Sequence, residues 1–421
     1  MLTPKLLTTL RTYDRQQFTA DLFAGLTVAM VAVPLSLAIA IASGVPPGAG
    51  LVTAAVAGFL ISALGGSRVQ VGGPTGAFIV VVAGVVATYG QDGLILATLM
   101  AGVILIIAGL MRAGGLIEYV PEPVINGFTV GIAIIIAASQ LGDLMGLHPA
   151  GPVPAEFIPK IGALWEARAT VSPASFGVGV VTIALIVALR RAFPRLPGLI
   201  VAVGLTSAAA VILGLPVDTI ESRFGALPDR LPMPALPEMS YARLRELLPS
   251  ALVIAFLAGI ESLLSALVAD RMIDGRHRPN AEVLAQGCAN IGSALFGGLP
   301  ATGAIARTAT NVRAGARTPM AGIFHALAVL AVMMFGGPLA GQLAMPALAG
   351  VLVLTAWNMS EPAKWRGWMR TRTGDRVLLV MTMLLTVLAD LTVAIGVGVI
   401  VGLALRLGRR DVRSDWTPPQ R

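Results

Sequence analysis

The sequence predicts an all-α polytopic membrane protein built from two inverted repeats. Hydrophobic residues make up 56% of its 421 residues, whereas charged residues make up only 12%. Soluble domains carry about 25% charged residues, so a water-soluble protein of this length could not cover so much apolar surface. The 48 glycines and 28 prolines suit membrane helices that pack closely or break within the bilayer. This composition excludes a soluble enzyme and a disordered chain.

Fourteen apolar segments, some shorter than the roughly 20 residues of a full span, form two groups of seven. We expect them near 20–43, 49–66, 74–90, 92–113, 121–145, 174–193 and 197–214, and near 247–270, 281–296, 302–315, 319–338, 340–358, 375–390 and 391–408. The units are a cytoplasmic lead-in (1–19), a first repeat (20–214), an extracytoplasmic linker (215–246), a second repeat (247–408) and a tail (409–421). The lead-in has no short apolar core before a cleavage site, so we do not interpret it as a signal peptide.

The loop cations orient these segments. With both termini in the cytoplasm, 23 of the 30 lysines and arginines fall on the inner side, 6 fall on the outer side, and Arg307 lies inside a segment. This asymmetry follows the positive-inside rule and predicts an inner (plasma) membrane protein. The net charge of +8 therefore reflects topology and does not indicate a nucleic-acid partner.

An odd number of spans in each group places the two groups in opposite orientations, as in the inverted repeats of secondary transporters. The run VQVGGPTGAF at 69–78 begins the third segment, and FGGLPATGAI at 296–305 begins the third segment of the second group. Ser36 and Ser262 form a weaker echo in the first segments of the two groups. These matching positions support an internal repeat.

The two glycine–proline runs interrupt segments that are too short to span as whole helices. We expect a short extended strand to reach the middle of the bilayer on each side, followed by a half-helix starting near Pro74 and near Thr302. Helix N-termini carry free N–H groups and about half a positive charge, so two of them facing each other form an anion site. The alternative is that the glycines only permit tight helix crossing. The predicted binding residues are Gly73, Pro74, Thr75, Gly76, Ala77, Phe78, Thr302, Gly303, Ala304, Ile305 and Arg307.

Two charged residues lie within the predicted spans. Arg307 would add a full positive charge to the anion site, or else would satisfy the carbonyls of a broken helix. Glu261 is surrounded by apolar residues, which favour the neutral carboxyl, and we predict that it couples transport to protons. The alternative is a permanent ion pair between Glu261 and Arg307. Ser262 and Ser265 are predicted to line the same cavity, together with Leu35.

Motifs for enzymatic or metal chemistry are missing from the sequence. It has one cysteine and three scattered histidines, and it has no HExxH, GxSxG or Walker lysine motif. We therefore predict no enzyme activity, no cofactor and no metal, and transport driven by an ion gradient.

Four sequence runs resemble the signatures of the SulP anion permeases, the sulfate permease family. They lie at 21–47, 65–78, 118–134 and 296–319, and the similarity extends over about 15–408. The resemblance implies a uracil-permease-like fold of seven plus seven inverted spans. In it, a core of spans 1–4 and 8–11 moves in an elevator-like manner against a gate of spans 5–7 and 12–14. It also implies a homodimer and an anion held between half-helices three and ten. Family members usually carry a cytoplasmic STAS domain after the last span, which would begin at 409–421; because the sequence stops at Arg421, we expect the membrane domain without its STAS domain.

Differences within the family bear on the substrate. Leu35 occupies a position where many members have glutamine, which weakens the case for sulfate. Two runs resemble those of bacterial members that take C4-dicarboxylates. They are IESLL at 260–264, in span eight, and AWNMSE at 356–361, after span twelve. We therefore expect symport of fumarate or succinate with a proton, with sulfate or bicarbonate as the alternative. Sodium is the less favoured coupling ion, because sodium-coupled bicarbonate members tend to have an aspartate in span eight, where this chain has Glu261. An anion channel and a nucleobase permease of the same fold remain further alternatives.

Overall fold

The computed structural model describes residues 2–115, 121–151, 153–154, 156–193, 197–389 and 391–409, and helices dominate these ranges. Six of the described helices are long and apolar enough to cross a membrane. The predicted tail, apart from Arg409, lies outside the described residues. The α-helices of the described ranges are α1 Lys5–Thr9, α2 Arg15–Ala42, α3 Pro47–Leu64, α4 Ile79–Leu110, α5 Glu122–Ser139, α6 Leu141–Met145, α7 Phe157–Glu166, α8 Pro173–Ala192, α9 Gly198–Ile212, α10 Ile220–Phe224, α11 Tyr241–Ile273, α12 Pro279–Leu295, α13 Ile305–Arg313, α14 Met320–Phe335, α15 Gly337–Gly341, α16 Met345–Met359, α17 Trp365–Trp368, α18 Thr373–Leu388 and α19 Leu391–Arg409.

Each apolar segment expected from the sequence contains one of these helices or part of one. The third and fourth segments form a single element, α4, which is broken at Gly90, where φ is 70° and ψ is −175°. This backbone conformation is accessible to glycine at little cost, so Gly90 marks the boundary expected between the two segments. The count of fourteen spans, the limits of the repeats and their inverted relation stay predictions.

Helix packing divides the chain into two groups. In the first group, α4 packs against α11 and α12, while α14 packs against α2 and α3. In the second group, α16 packs against α5 and α8, while α18 packs against α5 and α19. Helix α9 packs against α8 and so belongs to the second group. Contacts between the two groups include those of α2 with α9 and α16 and that of α4 with α5. The sequence-distant halves of the chain are therefore mixed within each group.

The linker expected over 215–246 contacts both groups of helices. Within it, the Ile220 N–H donates to the Leu343 carbonyl (3.0 Å), just before α16 of the second group. Farther along, the Ala235 N–H donates to the Leu295 carbonyl (2.9 Å), at the end of α12 in the first group. One part of the linker is therefore hydrogen-bonded to the second group and a later part to the first group.

Two short strands lie inside the first group. Strand β1, Gly72–Gly73, pairs antiparallel with strand β2, Thr302–Gly303, with Gly72 opposite Gly303 and Gly73 opposite Thr302. A 3₁₀ turn, Gly76–Phe78, follows β1 and leads into α4, whereas β2 leads directly into α13. β1 and β2 lie at corresponding positions of the two predicted repeats. An inverted relation between the repeats predicts that such strands run antiparallel, as these do.

A buried aspartate fixes the start of α2 against this group. Asp21 has no exposed surface, and its Oδ1 accepts hydrogen bonds from the N–H groups of Arg317 (2.7 Å) and Thr318 (3.1 Å). Its Oδ2 accepts from the Thr318 hydroxyl (2.5 Å). Burial, together with the Asp21 carboxylate, raises the pKa of Tyr13, just before α2, to about 12. Asp21 therefore ties α2 to the turn that precedes α14.

Replacing Asp21 by alanine is expected to lower the thermal unfolding midpoint of the detergent-solubilised protein by several degrees. The change leaves three donors without their acceptor, and each unpaired buried group costs about 1–3 kcal/mol. Asp14→Ala is the control, because Asp14 caps the same helix at an exposed position, where a cap is worth about 1 kcal/mol. Equal shifts in the two variants would contradict the role assigned to Asp21.

Candidate functional site

The pairing of β1 with β2 brings the starts of two helices to one place. After the strands, the first helical residues are Gly76 and Ile305, two or three residues beyond the starts expected near Pro74 and Thr302. Thr75 is still extended, with φ of −126° and ψ of 156°, which delays the first helix. Both helix starts therefore lie next to the strand crossing, and the N-terminal end of a helix carries a partial positive charge.

Among the predicted site residues, four retain accessible surface. Leu35, Thr75 and Glu261 are half-buried, and Ile305 is 43% exposed. The buried members are Gly73, Pro74, Gly76, Ala77, Phe78, Ser262, Ser265, Thr302, Gly303, Ala304 and Arg307. A ligand arriving at the crossing would therefore first meet the accessible four, with the rest as supporting structure.

The site faces the second group of helices. A side chain added at Gly76 would lie 3.1 Å from the Met359 sulfur, at the end of α16, and 3.5 Å from Ile136 Cδ1 of α5. The start of the first half-helix therefore lies at the boundary between the two groups, where a relative movement would change access to it.

Glu261 is bonded to the first half-site. Its Oε2 accepts a hydrogen bond from the Thr75 hydroxyl at 3.0 Å, although the two residues are 186 positions apart in the chain. In the described part of the chain, ion pairs involve Arg223, His277 and Lys364, so Glu261 does not pair with Arg307 there. The ion-pair alternative is not realised in this conformation, and the carboxyl group has one hydroxyl donor instead of a cation.

Arg307 lies behind strand β1 and not in open space. Arg307 is 1% exposed, and its Nη2 donates to the Ser36 hydroxyl at 3.1 Å. A Cβ added at Gly73, where φ is 147°, would lie 2.2 Å from Nη1. Its Nε and Nη1 groups have no hydrogen-bond partner among the described residues. Because Gly73 has no side chain, the positively charged guanidinium of Arg307 packs directly against β1 and so lies close to the strand crossing.

Ser262 and Ser265 have no exposed surface and serve the scaffold in this conformation. The Ser262 hydroxyl accepts a hydrogen bond from Gln70 Nε2 at 3.0 Å. The Ser265 hydroxyl lies 3.1 Å from that of Thr308, which accepts from the Val71 N–H at 3.1 Å. Both serines thus hold the segment leading into β1, and their role in lining a cavity stays a prediction.

Sequence reasoning missed several polar residues that fix the two strands. Thr53 Oγ1 accepts from the Leu299 N–H (2.6 Å), Gln70 donates to Ser262, and Glu282 accepts from Gly66 (2.9 Å). Isolated polar residues within apolar helices were the available signal, because burying such groups in a bilayer requires a partner. The described residues hold no cluster of His, Cys, Asp and Glu suited to a metal ion.

Discontinuous helices whose starts meet at one place are typical of the substrate sites of secondary transporters. A family model described as the sulfate permease family matches residues 18–382. The chain belongs to this family of anion transporters.

Relatives within the family carry names for two different inorganic anions. YvdB of Bacillus subtilis (strain 168), whose name assigns sulfate transport provisionally, is 39% identical over 399 residues, or 94% of this chain and 75% of that protein. The bicarbonate transporter BicA of Picosynechococcus sp. is 31% identical over 400 residues, or 92% of this chain and 70% of that protein.

Solved structures share the fold. The transmembrane domain of a cyanobacterial bicarbonate transporter, BicA, superposes with a TM-score of 0.82 at 29% identity, covering 96% of this chain and all of that one. Murine Slc26a9, an anion transporter in the inward-facing state, gives a TM-score of 0.87 at 19% identity, covering 97% of this chain and 71% of that one. The second likeness concerns the fold alone.

Gly73→Ala is expected to remove most anion uptake. The new methyl group would collide with Arg307, and the residue would be held in a conformation that costs a non-glycine residue about 1–3 kcal/mol. Gly84→Ala is the matched control, because an added Cβ there meets no heavy atom within 4 Å in the helix that follows β1. Initial uptake rates in proteoliposomes, at equal amounts of folded protein, measure the difference. Normal uptake by Gly73→Ala would show that the close packing of Arg307 on β1 is dispensable.

Arg307→Ala is expected to weaken anion affinity about ten- to hundredfold, because the loss of a desolvated charge is worth about 1.5–3 kcal/mol. The measurement is the KM for uptake of the transported anion. Arg313→Ala is the control, since Arg313 ends the same helix, α13, at an exposed position. An Arg307→Ala variant with unchanged KM would assign this arginine to the scaffold only.

Proposed function

We propose that the chain is a secondary active transporter that carries a small inorganic oxyanion together with a proton across a bacterial inner membrane. Both termini face the cytoplasm, and the working unit is a homodimer. The observation that carries the proposal is the contact between Thr75 and Glu261 at the start of a half-helix. An anion held by the N–H groups of that helix start would lie beside a carboxyl group.

Sulfate is the first candidate substrate and bicarbonate is the second. The relative that is 39% identical is provisionally named as a sulfate transporter, and the relative that is 31% identical is named as a bicarbonate transporter. The C4-dicarboxylate expected from sequence details has no counterpart among these names, so inorganic anions take its place as the main proposal. Backbone N–H groups and the charge of Arg307 suit an oxyanion better than the neutral ring of a nucleobase.

Coupling follows from the charge of Glu261. An ionised Glu261 repels an anion bound next to Thr75, whereas a protonated Glu261 removes that repulsion and offers a hydrogen-bond donor. Binding of the proton and of the anion then favour each other, and the linkage is reciprocal. The transported anion is thereby driven by the inward proton gradient.

The two helix groups supply the moving parts of this proposal. Strands β1 and β2, Glu261 and Arg307 all belong to the first group, while α5 and α16 of the second group approach Gly76. An elevator-like displacement of the first group along the second would carry the complete site from one membrane surface to the other. The linker, fastened to both groups, limits that displacement.

The proposal is tested with purified protein in proteoliposomes. Labelled sulfate, bicarbonate and fumarate are offered with an imposed proton gradient, a sodium gradient or none. We expect accumulation of sulfate or bicarbonate with the proton gradient. Accumulation of fumarate alone would identify a dicarboxylate as the substrate. Dependence on sodium alone would exclude proton coupling, and currents far above carrier turnover would indicate a channel.

Glu261→Gln is expected to abolish gradient-driven accumulation while anion exchange continues. The amide mimics the protonated carboxyl, so the anion still binds, but the site no longer takes up or releases a proton. Glu246→Gln, an exposed change on the same helix α11, is the control for expression and orientation. Full proton-driven accumulation by Glu261→Gln would exclude this carboxyl group from coupling.

A further inference from the structure

A second carboxyl group, that of Glu282, is buried in the scaffold behind the site. It lies in the first turn of α12 and has no exposed surface. Its Oε2 accepts hydrogen bonds from the N–H groups of Gly66 (2.9 Å) and Ser67 (3.2 Å). Its Oε1 accepts from the Ser262 hydroxyl (3.1 Å) and from Gln286 Nε2 (3.0 Å).

These four donors match the acceptor capacity of one carboxylate. No lysine, arginine or histidine forms an ion pair with Glu282 in the described ranges. Its carboxyl group is therefore held by hydrogen bonds and by the N-terminus of α12, in whose first turn it lies. Four hydrogen bonds to one buried side chain make this group a firm point of attachment.

The attachment joins the two elements that form the proposed coupling contact. Gly66 and Ser67 begin the segment that continues through β1 to Thr75. Ser262 follows Glu261 directly on α11, and Gln70 donates to both its hydroxyl (3.0 Å) and its carbonyl (3.2 Å). One carboxylate thus connects the segment that carries Thr75 to the helical turn that carries Glu261.

We infer that Glu282 is a positioning residue for anion binding: it sets the register between the β1 segment and α11, so that Thr75 and Glu261 meet. Functional groups must be held to within about 0.5 Å of their working geometry, and supporting hydrogen bonds usually do this. The inference rests on the proposed function in one respect, namely that the anion binds beside Thr75.

If Glu282 only stabilised the fold, its replacement would have a different effect on the transport kinetics. An acidic residue in the first turn of a helix stabilises that helix wherever it lies. Its loss would then reduce the amount of folded transporter, and hence the maximal rate, without changing the KM of the molecules that fold.

The test compares wild-type protein with Glu282→Gln, which keeps the side-chain shape and removes the charge. Hydrogen–deuterium exchange should increase in the peptide covering residues 65–73 and stay unchanged in the peptide covering 157–166, which forms α7 and does not pair with β1. The KM for the transported anion should rise about tenfold, as expected for the loss of a charge-assisted contact, while the maximal rate per folded molecule changes little. Glu122→Gln, in the first turn of α5, is the matched control and should leave exchange and KM unchanged.

Ser262→Ala provides a second route to the same answer, because it keeps Glu282 and cuts its connection to α11. We expect it to raise KM, and we expect the effects of Ser262→Ala and Glu282→Gln to be less than additive in the double variant, since both variants remove or weaken the contact between Ser262 and Glu282. An unchanged KM in folded Glu282→Gln, or fully additive effects in the double variant, would overturn the inference. If Glu282→Gln does not fold, an unchanged KM in Ser262→Ala overturns it. These readouts do not depend on proton coupling, so failure of the Glu261 prediction would leave them intact.

Discussion

The need to pair backbone groups in an environment without water governs this structure. Non-helical chain within the depth of a bilayer is tolerated only where protein surrounds it and partners satisfy its N–H and C=O groups. The two strands supply part of the pairing to each other, in the register Gly72 to Gly303 and Gly73 to Thr302. Buried side chains supply the rest: Asn290 exchanges two hydrogen bonds with Ala301, each 2.9 Å long.

The same pairing explains why so many polar side chains lie inside the first helix group. Asn311 donates to the Val69 carbonyl (2.8 Å), Thr308 accepts from Val71, and Ser293 donates to the Leu299 carbonyl (2.6 Å). Each satisfies a backbone group that a continuous helix would have satisfied itself. This network therefore holds the starts of the two helices beside the paired strands, where we propose that the anion binds.

Much of this arrangement could be predicted from local sequence, because glycine and proline act on the chain near themselves. The breaks at 72–74 and 297–300 indicated the strands and the half-helices within two or three residues. The remaining error is also local, since an extended Thr75 delays the first helical residue to Gly76. The boundary between the third and fourth segments was likewise readable, because Gly90 adopts a conformation that favours glycine.

Contacts between distant parts of the chain could not be predicted in this way. Thr75 and Glu261 are 186 residues apart, and Glu282 is 216 residues from Gly66. No spacing rule links such positions; only the folded packing does. The direction of the Arg307 side chain also depended on a tertiary detail, the missing Cβ of Gly73. The residue types at the strand crossing were thus readable from sequence, whereas which of them are buried and which keep accessible surface required the fold.

The burial of Arg307 against Ser36 and Gly73 means that the positive potential at the crossing exists before any anion arrives. The work of desolvating and orienting this charge was done when the protein folded, so binding requires little rearrangement of the arginine. A preformed field of this kind attracts every anion in proportion to its charge. At the proposed site, we therefore expect one anion to be separated from another by the free energy of removing its hydration shell, set against the few hydrogen bonds that the helix starts offer. Dehydration of the solute, more than the reach of a mobile cationic side chain, would then set the order of preference.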